Sequence, residues 1–185
     1  MKQKYFAFIL FFASFFISSC KKFEAGEDNS GELITTLLLK LTNTTNGTIQ
    51  EFKWEDVDGP GGHEPTVDTI LLNAGNVYAL NLEVWNKSSA VPQNISEEIE
   101  EEKEAHRFYY LPSTGSLVID SLSMDNNQMP LGLQSRWTTG AASAGQLNIT
   151  LRHYPGTPPD KQISDPVNSP KSSTDIAVAF HYHIL

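Results

Sequence analysis

The stretch YALNLEV at residues 78–84 alternates apolar with polar side chains, and this alternation decides the fold. Its apolar members occupy every second position: Tyr78, Leu80, Leu82 and Val84. Successive side chains of a β-strand point to opposite faces, so these four groups share one face. The stretch therefore predicts a strand that is buried on one side and polar on the other.

The same period of two recurs along most of the chain. It appears at Leu37, Leu39 and Leu41, at Phe52 and Trp54, and within segments 108–111, 117–122, 147–151 and 176–184. Turn-rich runs such as DGPGG, NAGN, PSTG and MDNNQMP separate these segments. Short strands joined by polar turns predict an all-β fold, a single antiparallel β-sandwich of the immunoglobulin-like kind with about seven or eight strands.

One segment, NISEEIEEEKEAH at residues 94–106, lacks this alternation and is rich in good helix formers. Asn94 followed by Glu97 matches an N-terminal capping signature. The segment therefore predicts one short acidic helix. The proline-rich stretch at residues 154–173 predicts a single long loop before the last strand.

The first 20 residues, MKQKYFAFILFFASFFISSC, have the layout of a secretory signal peptide. Lys2 and Lys4 precede an apolar run that is shorter than the roughly 20 residues of a membrane-spanning helix. The closing ISSC resembles the lipobox of bacterial lipoproteins, whose cysteine becomes a lipid-bearing N-terminus. The sequence thus predicts a signal peptide over residues 1–19, a flexible tether over 20–31 that starts at a lipidated Cys20, and a folded domain over 32–185.

Composition narrows the range of functions. Cys20 is the only cysteine, so its lipidation leaves no disulfide, no thiolate metal ligand and no cysteine nucleophile. The formal net charge of −9 disfavours nucleic acid as a partner and is compatible with cations. The sequence lacks the motifs of serine hydrolases, zinc proteases and phosphate-binding loops. We therefore expect a protein that is not an enzyme and does not bind nucleic acid.

Several segments of the folded part resemble a family of small lipoproteins of Bacteroidetes. They are ELITTLLLKLT, EFKWEDVDGPGG, ISEEIEEEKEAHRFYY, MPLGLQSRWTTGAASAGQLNITLRHYP and TDIAVAFHYHIL, and they span most of residues 32–185. Some members are labelled as type 1 periplasmic binding folds, but a two-domain protein of that kind needs a longer chain in which strands alternate with helices. The resemblance implies an extracytoplasmic address and a fold, and it places the family's histidines on His106 and His153.

Residues 97–104 hold six glutamates and one lysine. A charged run of this kind usually covers a solvated helix face. Glu98, Glu101 and Glu102, however, lie three or four residues apart, share one helical face and are followed closely by His106. The run therefore also predicts a divalent cation bound by glutamates and a histidine.

His153 is a second candidate ligand for that cation. It has the parity of Leu147, Ile149 and Leu151, so its side chain is expected on the apolar side of the strand, near the strand end. A lone histidine in such a place usually makes a hydrogen bond to the backbone. If the helix covers the same end of the sheet, imidazoles and carboxylates converge there in a site that suits zinc or a similar ion.

Two further pairs of residues have metal-ligating chemistry. Asp56 and Asp58 precede glycines in EDVDGPGGHE, which matches part of a calcium loop, but the sequence favours an ordinary Asp-Gly turn there. His181 and His183 alternate with apolar residues near the C-terminus, so we expect both on the outer face of the last strand. Two imidazoles at that spacing can bind zinc, copper or nickel.

These patterns together predict a membrane-anchored extracytoplasmic lipoprotein that acts as a binding or accessory module. The lysine after Cys20 favours the outer membrane, with the domain facing the periplasm or the cell surface. The expected partners are the membrane, through the lipid, and an outer-membrane protein. The alternative is a metal-binding or metal-delivery lipoprotein that holds a divalent metal ion with the glutamate run and the histidines.

Overall fold

The computed structural model describes residues 33–59 and 61–185. The predicted signal peptide over 1–19, the lipidated Cys20 and the tether over 20–31 lie outside these residues. Within the described part, no helix is both long enough and apolar enough to cross a membrane.

The described chain forms eleven strands and one α-helix. In chain order they are β1 (Thr36–Asn43), β2 (Ile49–Glu55), β3 (Thr66–Val67), β4 (Ile70–Leu72), β5 (Val77–Asn86), β6 (Gln93–Asn94), α1 (Ile95–Glu101), β7 (His106–Pro112), β8 (Leu117–Asp120), β9 (Gln134–Thr139), β10 (Ser143–His153) and β11 (Ser173–Ile184). This confirms the prediction of an all-β sandwich with one short helix.

The strands form two sheets that pack face to face around one core. The larger sheet has the order β3-β2-β1-β5-β9-β8, with β6 paired to β5, and the smaller has the order β4-β11-β10-β7. All pairs are antiparallel except β4 with β11, which is parallel. The parallel pair lies at one edge of the smaller sheet, where the three-residue strand β4 joins the last strand of the chain.

Alternating side chains of both sheets fill the core, as the period of two requires. In the larger sheet Leu39 of β1 pairs with Leu82 of β5, and both are buried. In the smaller sheet Leu147 of β10 pairs with Phe180 of β11, and both are fully buried. Strand β9 was not predicted, because the buried Trp137 has the polar Ser135 and Thr139 as its inward neighbours and the apolar pattern is lost.

Helix α1 is shorter than its sequence suggests. The Asn94 side chain caps it by accepting from the Ser96 N–H at 3.2 Å and donating to Glu97, as the capping signature predicts. Ile95 and Ile99 are its buried residues. Residues 102–105 form a turn instead of a further helical turn, because His106 pairs with β10 as the first residue of β7. Strand pairing overrides the local helix propensity there and brings the end of the acidic run to the end of the smaller sheet.

Candidate metal centre

Two histidines and an aspartate converge at one end of the smaller sheet. The potential ligand atoms of His106, His153 and Asp175 all lie within 4.8 Å of one another. In the part of the chain that the structure describes, this is the only group of three or more such residues. We call it the His-His-Asp cluster.

The pairing of β7 with β10 brings the two histidines together. His106 begins β7, His153 ends β10, and the antiparallel register places them directly opposite each other. Their ring centroids are 4.8 Å apart, with the ring planes at 69°. Both follow the parity of the core residues of their strands, so they close the apolar layer at its end.

A β-bulge brings Asp175 into the cluster. Leu151 of β10 pairs with Ile176 of β11, but the next residue, Arg152, pairs with Thr174, so Asp175 is the extra residue. A bulge lets two neighbouring residues oppose one partner and re-aims a side chain that strict alternation would place elsewhere. The Asp175 carboxylate consequently lies beside His106, with 4.0 Å between Oδ2 and Nε2.

Hydrogen bonding fixes which nitrogen of His106 is available. Its Nδ1 lies 3.1 Å from the backbone carbonyl oxygen of Glu102, which accepts only, so Nδ1 carries the hydrogen and donates it. Nε2 is then the bare nitrogen, and it faces Asp175. Burial lowers the pKa of His106 to about 4, partly offset by the Glu102 carbonyl, so the ring is neutral at pH 7. A neutral imidazole whose other nitrogen is bonded to a carbonyl is the usual form of a metal ligand.

Asp175 is a partly buried carboxylate with one buried oxygen that lacks a hydrogen bond. Its Oδ2 has no hydrogen-bond partner among the described residues, and its side chain is 13 % exposed. Burial raises the pKa of Asp175 to about 6, although His153 and Arg152 act in the opposite direction. Buried polar atoms in folded proteins are nearly always bonded, so an orphaned carboxylate oxygen beside two imidazoles calls for a partner such as a proton or a cation.

A surface pocket of about 760 Å³ opens beside the cluster. His153 forms part of its wall, next to Tyr154, Pro155 and Ser173. Glu102 and Glu104 line it from the turn after α1. One ligand residue of the cluster thus faces solvent through a cleft with two acidic side chains.

A second buried charged group lies on the other side of the β7 start. The Lys161 ammonium donates to the carbonyls of Lys103 at 2.6 Å and His106 at 2.7 Å and lies 2.9 Å from Asp125 Oδ2. Asp125 Oδ1 accepts from the N–H groups of Asn127 and Met129. We call this the Lys-Asp pair; it ties the long loop before β11 to the chain segment that carries His106.

The predicted glutamates do not supply the carboxylate of the cluster. Glu98, Glu101 and Glu102 have exposed side chains, and none belongs to the His-His-Asp cluster. Glu101 lines a different pocket, between α1 and the larger sheet. Glu102 contributes its backbone carbonyl to His106 and lines the pocket beside His153. The predicted convergence of His106 with His153 is present, but its carboxylate is Asp175.

The other predicted pairs have different surroundings. The backbone N–H and then the ring of His63 lower the pKa of Asp58 to about 2, and the side-chain contact is 2.7 Å long. This is the arrangement of a turn, and neither Asp56 nor Asp58 belongs to a group of three potential ligands in the described residues. His181 and His183 are both exposed on the outer face of β11, as predicted, and they too lie outside such a group in that part of the chain.

Comparisons of the chain with protein-family models, with curated proteins and with solved structures gave no match. The donor atoms of the cluster and the distances between them are therefore the basis for assigning its chemistry. Two imidazoles and a carboxylate form a set of borderline and hard donors, which suits zinc and neighbouring divalent transition metals.

Proposed function

We propose that this protein is a lipid-anchored extracytoplasmic module that binds a divalent transition-metal ion in the His-His-Asp cluster. The single observation that supports this function is the orphaned, buried Asp175 Oδ2, 4.0 Å from the bare Nε2 of His106 and with His153 close by. A bound cation satisfies all three donors at once and compensates the buried negative charge.

The distances in the cluster fit such an ion after small side-chain movements. Zinc bonds to nitrogen and carboxylate oxygen are about 2.0 to 2.2 Å long, so two ligands of a tetrahedral ion lie about 3.4 Å apart. The donors here are within 4.8 Å of one another. Rotation of the His153 and Asp175 side chains by about an ångström at their tips closes this difference, whereas His106 is already oriented by Glu102.

The donor set also argues against the hard cations that the acidic composition suggested. Calcium takes six to eight oxygen ligands, and magnesium keeps several waters in an octahedron of oxygens. The cluster offers two nitrogens and one carboxylate. We therefore assign the site to zinc-like ions rather than to calcium.

The experiment that tests this function is calorimetric titration of the full-length protein, purified in detergent, with zinc, nickel, copper and calcium. We expect saturable one-to-one zinc binding with a Kd in the micromolar range or tighter, and little calcium binding. Asp175→Asn and His153→Ala should each weaken zinc binding at least about a hundredfold, because each removes one of three ligands.

His181→Ala is the matched control, since it removes an exposed imidazole from β11 without touching the cluster. Its zinc affinity should equal that of the wild type. Zinc binding weaker than about millimolar, or binding that Asp175→Asn and His153→Ala leave unchanged, would refute the metal site.

The lipid anchor is proposed from the leader sequence alone, because Cys20 lies outside the described residues. The ISSC run after a charged start and an apolar stretch supports lipidation of Cys20, and the lysine that follows Cys20 favours the outer membrane. Cys20→Ala should abolish incorporation of a labelled fatty acid and release the protein or leave its leader uncut. Equal label in wild type and variant would refute the anchor without bearing on the metal site.

A further inference from the structure

The His-His-Asp cluster supplies three ligands, which leaves one position of a tetrahedral ion open. Zinc sites with four protein ligands are closed, whereas sites with three keep the fourth position for an external group. Among the described residues no fourth histidine, cysteine, aspartate or glutamate belongs to the cluster. The fourth position of a bound ion is therefore available to a group from outside the cluster.

The pocket beside His153 has room for a fourth ligand of the bound ion. His153 belongs both to the cluster and to the pocket wall, so an ion that it holds is reached from the pocket. The volume of about 760 Å³ is far larger than one water, whose share of liquid volume is about 30 Å³. Ala105, Pro155 and Pro159 give the walls apolar surface. The pocket accordingly suits a ligand with a compact apolar body and one donor atom.

The charges around the pocket select the kind of donor. Glu102 and Glu104 line it, and the Asn126 amide holds the Glu104 carboxylate at 2.6 Å. An anionic donor approaches the ion against these two like charges, whereas a neutral nitrogen donor does not. The buried cations nearby are already occupied: the Arg152 guanidinium by the Ser169 carbonyl and the Ser172 hydroxyl, each at 3.0 Å, and the Lys161 ammonium by two carbonyls and Asp125.

We infer that the pocket admits a neutral imidazole group, which completes the coordination of the bound ion. This inference rests on the proposed metal site. The imidazole belongs either to free histidine or to a histidine side chain of a peptide, and both present the same donor to the ion. With such a ligand, the site can accept a metal ion from a histidine-bearing molecule or transfer the ion to one.

The test uses the full-length protein loaded with Co²⁺, whose visible absorption reports the number and kind of its ligands. Imidazole, N-acetylhistidine amide, the tripeptide Gly-His-Gly and acetate are titrated separately. We expect imidazole to change the spectrum saturably and acetate to bind at least tenfold more weakly. A tripeptide that binds at least fivefold more tightly than N-acetylhistidine amide supports a peptide source, and equal affinities support free histidine.

Glu102→Gln and Glu101→Gln form a matched pair for the charge argument. Glu102 lines the pocket, and its backbone carbonyl, which holds His106, is kept in the variant. Glu101 is its neighbour in the chain but lines the other pocket. Glu102→Gln should lower the ratio of imidazole affinity to acetate affinity at least threefold. Glu101→Gln should leave this ratio unchanged.

The outcomes separate this inference from the proposed function. A protein that gives no cobalt spectrum refutes the metal site itself. A cobalt spectrum that imidazole does not change shows a closed site, which overturns the inference and leaves the metal site standing. Acetate that binds as tightly as imidazole overturns the assignment of the ligand class.

Discussion

Two charged groups contact the first residue of β7, and they differ in how completely their charge is compensated. In the Lys-Asp pair, the Lys161 ammonium donates to two carbonyls and lies 2.9 Å from Asp125 Oδ2, so each charge has an opposite charge beside it. In the His-His-Asp cluster, Asp175 Oδ2 has no hydrogen bond from the described residues, and the His106 ring beside it is neutral at pH 7. A buried charge with an opposite charge beside it stabilises the fold. A carboxylate without such a partner favours the binding of a proton or a cation.

The two aspartates show this difference in their pKa values. Burial by itself raises the pKa of Asp125, but the Lys161 ammonium and the Met129 N–H outweigh it and hold the pKa below its usual range. Burial also raises the pKa of Asp175, and there the opposing charges are too weak to cancel it, so it reaches about 6. The same substitution, aspartate to asparagine, should therefore have opposite effects on stability at the two positions.

The largest expected effect is the loss of the Lys-Asp pair. Asp125→Asn leaves the Lys161 ammonium buried without its counter-charge, which should lower the free energy of unfolding by about 3 to 5 kcal/mol at pH 7. The contribution of Asp125 is present above its unfolded pKa of about 3.9 and is lost as pH falls below it, because its folded pKa is the lower one. Urea unfolding of wild type and variant at pH 7 and pH 3 measures both effects.

Asp120→Asn is the control for this prediction, since Asp120 pairs with Arg136 at 2.8 Å but both side chains are about half exposed. It should cost less than about 1 kcal/mol. Equal losses in the two variants would mean that burial does not distinguish the pairs.

The next largest expected effect is stabilisation of the fold by a metal ion bound at the His-His-Asp cluster. Zinc at a hundredfold excess over its Kd should raise the free energy of unfolding of the wild type by about 2.7 kcal/mol. Asp175→Asn should show no such gain, because it lacks one ligand. Urea melts with and without zinc measure the difference, and a gain that persists in the variant would place the ion outside the cluster.

The metal affinity should also depend on pH. The proton competes with the ion for Asp175, whose pKa is about 6, and for His106, whose pKa is about 4. Lowering the pH from 7 to 5 should therefore weaken zinc binding at least about tenfold through Asp175 alone, which corresponds to about 1.4 kcal/mol. Titrations at pH 5, 6 and 7 test this, and an affinity that stays constant over that range would contradict ligation by Asp175.

The smallest expected effect is that of Asp175→Asn on the metal-free protein. It should raise the free energy of unfolding, whereas Asp125→Asn should lower it. The raised pKa of Asp175 means that wild-type stability falls as pH rises from about 4 to about 6, where the buried carboxylate ionises in the folded state. Asp175→Asn removes this loss, so it should match the wild type near pH 4 and exceed it by about 1 kcal/mol at pH 7, after allowance for solvent screening. Chemical unfolding in the presence of a chelator measures it. A variant that is less stable than the wild type at pH 7 would show that Asp175 has a structural partner.

Much of the fold was predictable because its signal is local. Alternation in β1, β5, β10 and β11 marks which residues are buried, and Asn94 caps α1 as its spacing from Glu97 indicates. The parity of His153 with Leu151 correctly placed its side chain on the inner face. The short strands β3 and β6 have two residues each and no sequence signal of their own.

The sequence by itself determined the β-sandwich, the short helix, the long loop and the two histidines of the candidate site, because each follows from periodicity or from residue type within a few positions. Only the tertiary structure decided which carboxylate joins the histidines. Glu98, Glu101 and Glu102 are close to His106 in sequence but face solvent, whereas Asp175 is almost 70 residues away and enters through a bulge. Strand register is set by the packing of whole sheets, so the one-residue bulge at Asp175, opposite Leu151 and Arg152, cannot be seen in the sequence around Asp175.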